Sequence, residues 1–457
     1  MASKNKNTIK IRALKYLHAG ITVLLFAVFW YLYRYGFRII QITKESRYDL
    51  FIPIIYAVLY IILCRTYKAY LLGYYRVSIL CRAQFLSQFF SLLFVWIMVT
   101  IAWWNLRQSP AIFLVLLLLQ AALDIVWTWF ATKYFFKITP PIKAAVLYIN
   151  ENDIHRLGRM NGEPIERLYR FDKRICCDGR SSKDIIPLIE DCDAIFVSGI
   201  DASTRNELAE YCIHNNKNGF FVPHVGDVLM SGAEYIQSFS SPVLNVHRYN
   251  PDIEFTFLKR LFDILSSALA LIILSPLMLI VALAIKINDG GPVFYRQTRL
   301  TKDGKKFKII KFRSMRTDAE KDGVARLAAE NDSRITSVGR FIRKCRIDEL
   351  PQLINILKGE MSVVGPRPER PEIFEQYCKE FPDFSMRLQA KAGLTGFAQV
   401  YGRYNTSPYE KLEFDLLYIN QMNILTDIKI IFKTVGILFS TESTEGISEG
   451  NITAKEK

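Results

Sequence analysis

Long apolar segments alternate with short basic stretches over the first 139 residues. Four apolar segments cover residues 18–33, 50–63, 85–104 and 111–130. Some are shorter than the ~20 residues that a helix needs to cross a bilayer. Tryptophans near several of their ends suit the membrane interface and extend the usable length. The pattern therefore predicts a four-helix transmembrane bundle over residues 1–139.

Basic side chains flank this bundle on both sides. They are Lys4, Lys6, Lys10, Arg12 and Lys15 before it and Lys133, Lys137 and Lys143 at its end. Because no small-residue cleavage site follows the first apolar segment, we expect a retained anchor and not a cleaved signal. Positive charge at both ends favours a cytoplasmic position for both.

A soluble α/β pattern follows from residue 140. Short apolar runs at residues 144–149, 194–197 and 219–222 predict buried strands, and residues 203–214 predict a helix. We interpret residues 140–250 as a Rossmann-like cytosolic domain.

The turn after the first of these strands carries no glycines. It consists of Asn150, Glu151, Asn152 and Asp153, whereas a dinucleotide-binding turn needs glycines so that its backbone can approach a pyrophosphate. We therefore expect a domain without a nucleotide-binding glycine loop, with a structural or regulatory role.

A further apolar segment, residues 264–285, introduces the C-terminal domain, residues 251–457. Ser275 and Pro276 lie at its centre, where proline removes a helical hydrogen bond. Each arm would rise only about 14–16 Å, roughly half the hydrocarbon thickness. Basic residues flank both ends. We predict a re-entrant hairpin over residues 259–286 with its break at Ser275-Pro276, in preference to a kinked spanning helix, and expect the Ser275 hydroxyl to pair with a freed backbone group.

Lysines and arginines alternate with apolar residues between residues 293 and 316. This spacing predicts a β-hairpin with one basic face. That face is either solvated or docked on anionic lipid headgroups.

Two adjacent carboxylates, Asp348 and Glu349, precede a proline-started apolar helix. A carboxylate can bind a divalent cation or attack an electrophile. The alternative is a helix cap, since aspartate is favoured at the N-cap and proline in the first turn. The two interpretations are compatible, because a helix N-terminus favours an ionised carboxylate. Arg367, between Pro366 and Pro368, stands in a rigid turn suited to gripping phosphate.

Composition supports a membrane protein. The chain is 51% hydrophobic and carries a net charge of +15, which suits anionic headgroups or phosphate substrates better than nucleic acid. All five histidines precede residue 250, so any chemistry of the C-terminal domain proceeds without imidazole. The eight cysteines include no C-x-x-C pair, which argues against a zinc site and a disulfide framework.

Several motifs, in this order, resemble the bacterial sugar transferases, the monotopic polyprenyl-phosphate phosphoglycosyltransferases. They are Lys259-Arg260-x-x-Asp263, Ser275-Pro276, Lys311-Phe312-Arg313-Ser314-Met315, Asp348-Glu349-Leu350-Pro351-Gln352-Leu353, Lys358-Gly359-Glu360-Met361-Ser362-Val363-Val364-Gly365-Pro366-Arg367-Pro368 and Gly393-Leu394-Thr395-Gly396-Phe397-Ala398-Gln399-Val400-Tyr401-Gly402-Arg403. The resemblance covers about residues 255–440. With its bundle and Rossmann-like domain, the chain is similar to the large members of this family.

The resemblance implies transfer of a sugar-1-phosphate from a UDP-sugar to undecaprenyl phosphate, releasing UMP, as the first step of capsule, exopolysaccharide or O-antigen synthesis. Asp348 would be the nucleophile and form an aspartyl-phosphosugar intermediate. Glu349 would handle a metal or a proton, and Mg²⁺ would lie near the acidic pair. The cations implied for the substrate phosphates are Arg343, Arg367, Arg403 and Lys311. The enzyme would lie in the bacterial inner membrane, in contact with lipids and with its catalytic domain on the cytoplasmic face.

Two other functions compete with this one. Tyr169-x-x-x-Lys173 has the spacing used by nucleotide-sugar dehydratases and epimerases. A non-enzymatic membrane scaffold for a polysaccharide assembly complex would use the same basic surfaces. The sugar, the pathway and the oligomeric state stay open, with the bundle and the middle domain as candidate homodimer surfaces.

Overall fold

The computed structural model describes residues 2–33, 51–102, 110–151, 153–154, 163–236, 243–316, 332, 334–402 and 406–438. The chain divides into two compact units, Met1–Val222 and Pro223–Lys457. Each unit is described separately below.

Four helices open the first unit, as the apolar pattern predicts. They are α1 (Ala2–Tyr31), α2 (Phe51–Thr66), α3 (Val77–Ala102) and α4 (Pro110–Ile138). α1, α3 and α4 are long and apolar enough to cross a membrane, and α2 is a shorter apolar helix. Each helix extends beyond its apolar segment because the flanking polar residues continue the same turns.

Polar side chains fill the centre of this bundle. His18 Nε2 on α1 lies 3.2 Å from Asp124 Oδ1 on α4, and both side chains are fully buried. Gln88 on α3 donates to the same carboxylate oxygen at 3.0 Å. The Tyr70 hydroxyl contacts His18 Nδ1 at 2.9 Å and the hydroxyl of Tyr60 on α2 at 2.8 Å. Polar groups away from water are costly unless paired, so this network ties all four helices to one arrangement.

A parallel sheet of order β2-β1-β3-β4 completes the first unit. Its elements, with the intervening helices, are β1 (Ile142–Tyr148), α5 (Glu163–Leu168), β2 (Tyr169–Cys176), α6 (Ser182–Ile185), a 3-10 turn (Ile186–Ile189), β3 (Ala194–Val197), α7 (Ala202–His214) and β4 (Asn218–Phe221). All three strand pairings are parallel. The α/β prediction for this region is confirmed.

The bundle and the sheet share one apolar core. Trp127 and Phe135 of α4 belong to the same buried cluster as Ala144, Val146 and Phe196 of the sheet. The predicted bundle, residues 1–139, and the part of the next predicted domain up to Val222 therefore form a single compact unit.

The described part of the second unit contains two antiparallel strand pairs and one parallel pair. Its elements are α8 (Val225–Ser231), β5 (Glu234–Ile236), β6 (Val243–Asn245), α9 (Ile253–Asp289), β7 (Phe294–Leu300), a 3-10 turn (Lys302–Gly304), β8 (Lys306–Phe312), α10 (Ser337–Lys344), a 3-10 turn (Ile347–Glu349), α11 (Gln352–Lys358), β9 (Ser362–Val364), α12 (Pro371–Glu380), a 3-10 segment (Pro382–Gln389), β10 (Gly393–Thr395), α13 (Phe397–Tyr401), α14 (Pro408–Asn420) and α15 (Ile424–Leu438).

This unit begins before the predicted boundary at residue 250. Val225 and Val228 of α8 pack in the same cluster as Leu412 and Leu416 of α14. The Asn420 side chain also donates to the Val228 carbonyl. The apolar residues of α8 were assigned to the middle domain because nothing in the sequence shows which core covers them.

The predicted β-hairpin is confirmed, but its basic residues do not share one face, since Lys311 lies on the face of Phe307 and Ile309, whereas Lys306 and Lys308 lie on the other. β7 pairs with β8 from Phe294 opposite Phe312 to Leu300 opposite Lys306. Phe307 and Ile309 are buried in the core of the unit, while the lysines beside them face outward.

α9 corrects one part of the prediction for the membrane segment, its division into two helices. It is one continuous helix from Ile253 to Asp289 with Pro276 inside it, so over this described stretch the predicted break at Ser275-Pro276 does not divide it into two helices. Proline lacks the N–H that would pair with the Ile272 carbonyl, and the Ser275 hydroxyl donates to that carbonyl at 2.8 Å. The predicted compensation by Ser275 is thus confirmed, and it lets the helix continue.

Both ends of α9 pack against the rest of the second unit. Asp263 accepts hydrogen bonds from the Ser362 hydroxyl at 3.1 Å and the Val363 amide at 3.0 Å. Near the other end, Val281 and Ile285 pack in one cluster with Phe312 and Ile342. Between these ends, large apolar side chains are exposed: Leu265, Leu269, Ile272, Ile273, Leu277, Leu279 and Ile280. The middle of α9 therefore presents an apolar surface suited to lipid.

Candidate active site

The acidic pair lies in the 3-10 turn that leads into α11. Arg346, with a left-handed backbone (φ 54°), precedes this turn and directs the chain away from α10. Pro351 occupies the N-cap of α11, and no side chain caps this described helix end. The interpretation of Asp348 as a helix cap is therefore wrong, and its carboxylate is available for chemistry.

Two cations converge on Glu349. Lys311 Nζ from β8 lies 2.9 Å from Glu349 Oε1, and Arg367 Nη2 lies 2.8 Å from the same oxygen. The three side chains are distant in sequence and meet at one point. Of the predicted site residues, Lys311, Glu349 and Arg367 are therefore in direct contact.

The two carboxylates titrate differently. Burial, reinforced by the negative charge of Glu349, raises the pKa of Asp348 to about 6. Burial would also raise the pKa of Glu349, but the charges of Arg367 and Lys311 hold that pKa well below its usual range. Near neutral pH, Glu349 is a fixed anion, whereas Asp348 sits close to its own titration. The expected lowering by the helix N-terminus is outweighed, because the groups around the half-buried Asp348 carboxyl exclude much of its water.

Arg343 contributes charge from α10. It is half-buried, and its positive charge lowers the pKa of Asp348 against the effect of burial. Thr336 caps α10 by accepting from the Gly339 amide at 2.9 Å, and buried Ile342 anchors the helix on α9. Arg403, the remaining predicted phosphate ligand, lies outside the described residues.

Close backbone contacts fix the loop that carries Arg367. The Gly365 amide donates to the Thr395 carbonyl at 2.8 Å, and the Gly393 amide donates to the Pro366 carbonyl at 2.9 Å. A Cβ on Gly393 would lie 2.1 Å from the Gly365 nitrogen. Only glycine at both positions permits this approach, which gives the glycines of the two motifs a structural reason.

The first turns of α9 hold both segments of the candidate site. Arg260 donates to the Ile356 and Leu357 carbonyls at 2.6 and 2.7 Å, at the end of α11 opposite the acidic pair. Lys259 donates to the Val364 carbonyl at 3.2 Å, next to the Arg367 loop, and pairs with Asp427 at 2.6 Å. The motif Lys259-Arg260-x-x-Asp263 therefore joins the apolar helix to the site.

Sequence reasoning missed a charged cluster, buried or half-buried, beneath the Arg367 loop. Its members are Arg299, Glu369, Arg387, Lys411 and Asp415. These residues carry no periodic signal, and their partners lie on other elements.

The donor set limits what metal the site can hold. Among the residues that the structure describes, no group of three or more His, Cys, Asp or Glu side chains could enclose an ion. Mg²⁺ commonly takes one or two carboxylates and completes its shell with substrate phosphates and water. Asp348 and Glu349 fit that need, although two cations already occupy Glu349 Oε1.

Comparison with known proteins gives the site a family. Residues 254–441 match the family described as bacterial sugar transferase. The UDP-glucose:undecaprenyl-phosphate glucose-1-phosphate transferase of Caulobacter vibrioides is 40% identical over 198 residues, which are 42% of this chain and 74% of the relative. The exopolysaccharide production protein ExoY of Rhizobium meliloti is 39% identical over 191 residues, 39% of this chain and 83% of the relative. The chain belongs to the bacterial sugar transferase family.

Longer relatives match a similar length of this chain. The UDP-glucose:undecaprenyl-phosphate glucose-1-phosphate transferase of Escherichia coli strain K12 is 43% identical over 211 residues, covering 45% of this chain and 44% of the relative. The matched segment thus spans less than half the length of that relative. The family match over residues 254–441 contains the acidic pair and the Arg367 loop.

Proposed function

We propose that this protein transfers a sugar-1-phosphate from a UDP-sugar to undecaprenyl phosphate and releases UMP, as the first step in making a capsule, exopolysaccharide or O-antigen. One observation carries the proposal: Asp348, with a pKa raised to about 6, lies beside a Glu349 that is paired with Lys311 and Arg367. Relatives named as undecaprenyl-phosphate sugar phosphotransferases support it.

The proposed chemistry has two displacements at one phosphorus. An Asp348 carboxylate oxygen attacks the sugar-linked phosphorus, the bond to the bridging oxygen breaks, and UMP leaves with that oxygen. A phosphate oxygen of undecaprenyl phosphate then attacks the same phosphorus and releases the Asp348 carboxylate. A carboxylate nucleophile divides one difficult displacement into two easier ones. No oxidant, reductant or further co-reactant is needed.

Cations around Asp348 would stabilise the charge that spreads over the transferring phosphoryl group. Arg367 and Arg343 are placed for this role, and Arg403 is proposed for it from the motif alone. Lys311, whose pKa burial lowers against the opposing charge of Glu349, would act mainly by orienting Glu349. Mg²⁺, held by the acidic pair, would neutralise part of the diphosphate charge.

The competing functions have less support. Tyr169 and Lys173 lie on strand β2, where Tyr169 is buried and Lys173 pairs with Asp191 at 2.5 Å. A tyrosine already buried in the sheet is poorly placed to serve a substrate. A scaffold role would give no reason for Lys311 and Arg367 to meet on Glu349 beside a half-buried Asp348, an arrangement typical of functional sites.

A panel of UDP-sugars tests the proposal directly. The purified full chain in detergent or nanodiscs is mixed with undecaprenyl phosphate, Mg²⁺ and one UDP-sugar at a time. We expect UMP release with at least one of UDP-glucose, UDP-galactose or their N-acetyl forms, and a matching lipid-linked sugar phosphate. Omission of the lipid should limit UMP to at most one equivalent per protein. Catalytic release of UDP in place of UMP, or no release with any donor, would exclude the function.

We further propose that α9 enters and leaves the membrane at the cytoplasmic face. This topology is supported by the contacts of both helix ends with one compact unit and by the basic residues that flank them. Single cysteines at Glu254 and Ile287, both exposed, would report on the two ends in a chain whose exposed native Cys176 and Cys345 are replaced.

We expect a membrane-impermeable thiol reagent added outside intact spheroplasts to label neither position. Lys137→Cys at the end of α4 serves as the cytoplasmic reference, and lysis should expose all three sites together. Labelling of Ile287→Cys from outside would establish a spanning helix and would separate the catalytic unit from cytoplasmic donors.

A further inference from the structure

A fully buried ion pair lies behind the Arg367 loop. Arg387, in the 3-10 segment Pro382–Gln389, is 2% exposed, and its partner Asp415 on α14 is 1% exposed. Arg387 Nε and Nη2 lie 2.8 and 2.6 Å from Asp415 Oδ2. The guanidinium also lies 4.8 Å from the centre of the Phe384 ring, so packing and charge both fix its position.

The same guanidinium contacts the Arg367 loop on both sides of Pro368. Arg387 Nη2 donates to the backbone carbonyl of Arg367 at 2.9 Å, and Nη1 lies 3.6 Å from Glu369 Oε1. Arg299 donates to the carbonyl between them, that of Pro368, at 3.1 Å. The interior therefore holds three consecutive residues of the loop, Arg367 and Pro368 through their backbone carbonyls and Glu369 through its side-chain carboxylate.

Stability alone is a poor reason to bury this pair. Taking two charges out of water costs several kcal/mol per ion, and well-packed apolar residues of similar volume are often equally stable or better. Lysine could not replace Arg387, because one ammonium lacks the planar fork that reaches a carboxylate and a carbonyl together. The arrangement is suited to fixing one loop geometry.

We propose that Arg387, held in place by Asp415, is a positioning residue for Arg367. By binding the Arg367 carbonyl, it fixes where the Arg367 side chain leaves the loop and so keeps its guanidinium 2.8 Å from Glu349 Oε1. Arg387 acts through Arg367 and is not itself assigned to the substrate. The catalytic part of this inference rests on the proposed function.

Substitutions of the pair separate positioning from folding. Arg387→Lys keeps the charge but loses the fork, and we expect kcat for UMP release to fall about 100-fold, with KM for the UDP-sugar changed less than about threefold. The double variant Arg387→Met/Asp415→Leu removes both charges, so it should unfold at a temperature close to that of the wild type while keeping the low kcat. Arg248→Lys changes the same groups in the exposed pair with Asp303 and should match the wild type.

Amide exchange gives a readout that does not need activity. In Arg387→Lys we expect faster hydrogen exchange at the Gly365 and Gly393 amides, which bond across the loop, with unchanged exchange in α7 of the first unit. Asp415→Asn, a milder change, should show a smaller effect of the same kind if Arg387→Lys does not fold.

Three outcomes distinguish the possibilities. A folded double variant with wild-type kcat would reduce the pair to a structural element and overturn the proposal. Unchanged exchange at Gly365 and Gly393 in a folded Arg387 or Asp415 variant would overturn it as well. If the wild type releases no UMP from any donor, the proposed function fails, and amide exchange alone then decides whether Arg387 fixes the loop.

Discussion

Asp348→Asn is expected to reduce UMP release by about 10⁴-fold or more and to abolish the covalent adduct. An amide has no anionic oxygen to attack phosphorus, and removal of a nucleophile typically costs this much. The variant keeps the size of the side chain, so the turn around it should stay folded. Intact-protein mass spectrometry after mixing with UDP-sugar alone checks for the adduct, and a UMP assay checks turnover.

Asp383→Asn is the matched control for this experiment. Asp383 is exposed in the 3-10 segment of the same unit, and its replacement should change neither turnover nor adduct.

The rate of UMP release by the wild type should fall as the pH drops through about 6. Burial raises the pKa of Asp348 to about 6, and protonation of this carboxylate removes the attacking anion. Near-normal turnover by Asp348→Asn would show that another group attacks phosphorus.

Arg367→Lys should lower kcat by about 10²–10³-fold, the usual cost of losing one preorganised donor to a developing charge. Lysine keeps the positive charge but loses the planar fork that contacts Glu349 and the phosphate oxygens together. The pKa of Arg367 is raised mainly by Glu349, so this side chain stays charged across the working pH range. The measurement is kcat for UMP release at saturating UDP-sugar.

Arg296→Lys, on the exposed part of β7, provides the comparison and should keep full activity. A rate within about threefold of the wild type for Arg367→Lys would contradict the assigned role. It would also remove the basis for the positioning of this residue by Arg387.

Periodicity predicted the elements of this protein better than their boundaries. The apolar segments gave the four helices α1–α4, and alternation gave the β7–β8 hairpin. Pro276 indicated an interruption, but the Ser275 hydroxyl supplies the missing partner for the Ile272 carbonyl. The tendency of proline to end a helix was outweighed there by the side chain of the preceding serine. The placement of α8 failed for another reason: its apolar face is covered by α14, far along the chain.

The candidate site was predictable as a set of residues but not as a geometry. The motifs named Asp348, Glu349, Lys311 and Arg367, yet only the fold shows that both cations bind one oxygen across 38 and 18 residues of sequence. The helix N-terminus predicts a lowered pKa for Asp348, whereas the fold raises it. The sequence does not show which residues cover the turn and exclude water from the carboxyl group. Arg387 and Asp415 were missed because isolated buried charges have no periodic pattern.

The shared core of Trp127, Phe135, Ala144, Val146 and Phe196 matters to anyone who shortens this chain. In a fragment that begins at residue 140, one apolar face of the sheet would be exposed to solvent. Exposed apolar surface favours aggregation and lowers solubility. The helical bundle thus covers the apolar face of the sheet in addition to anchoring the chain. Unrelated transmembrane helices in its place would leave that face uncovered.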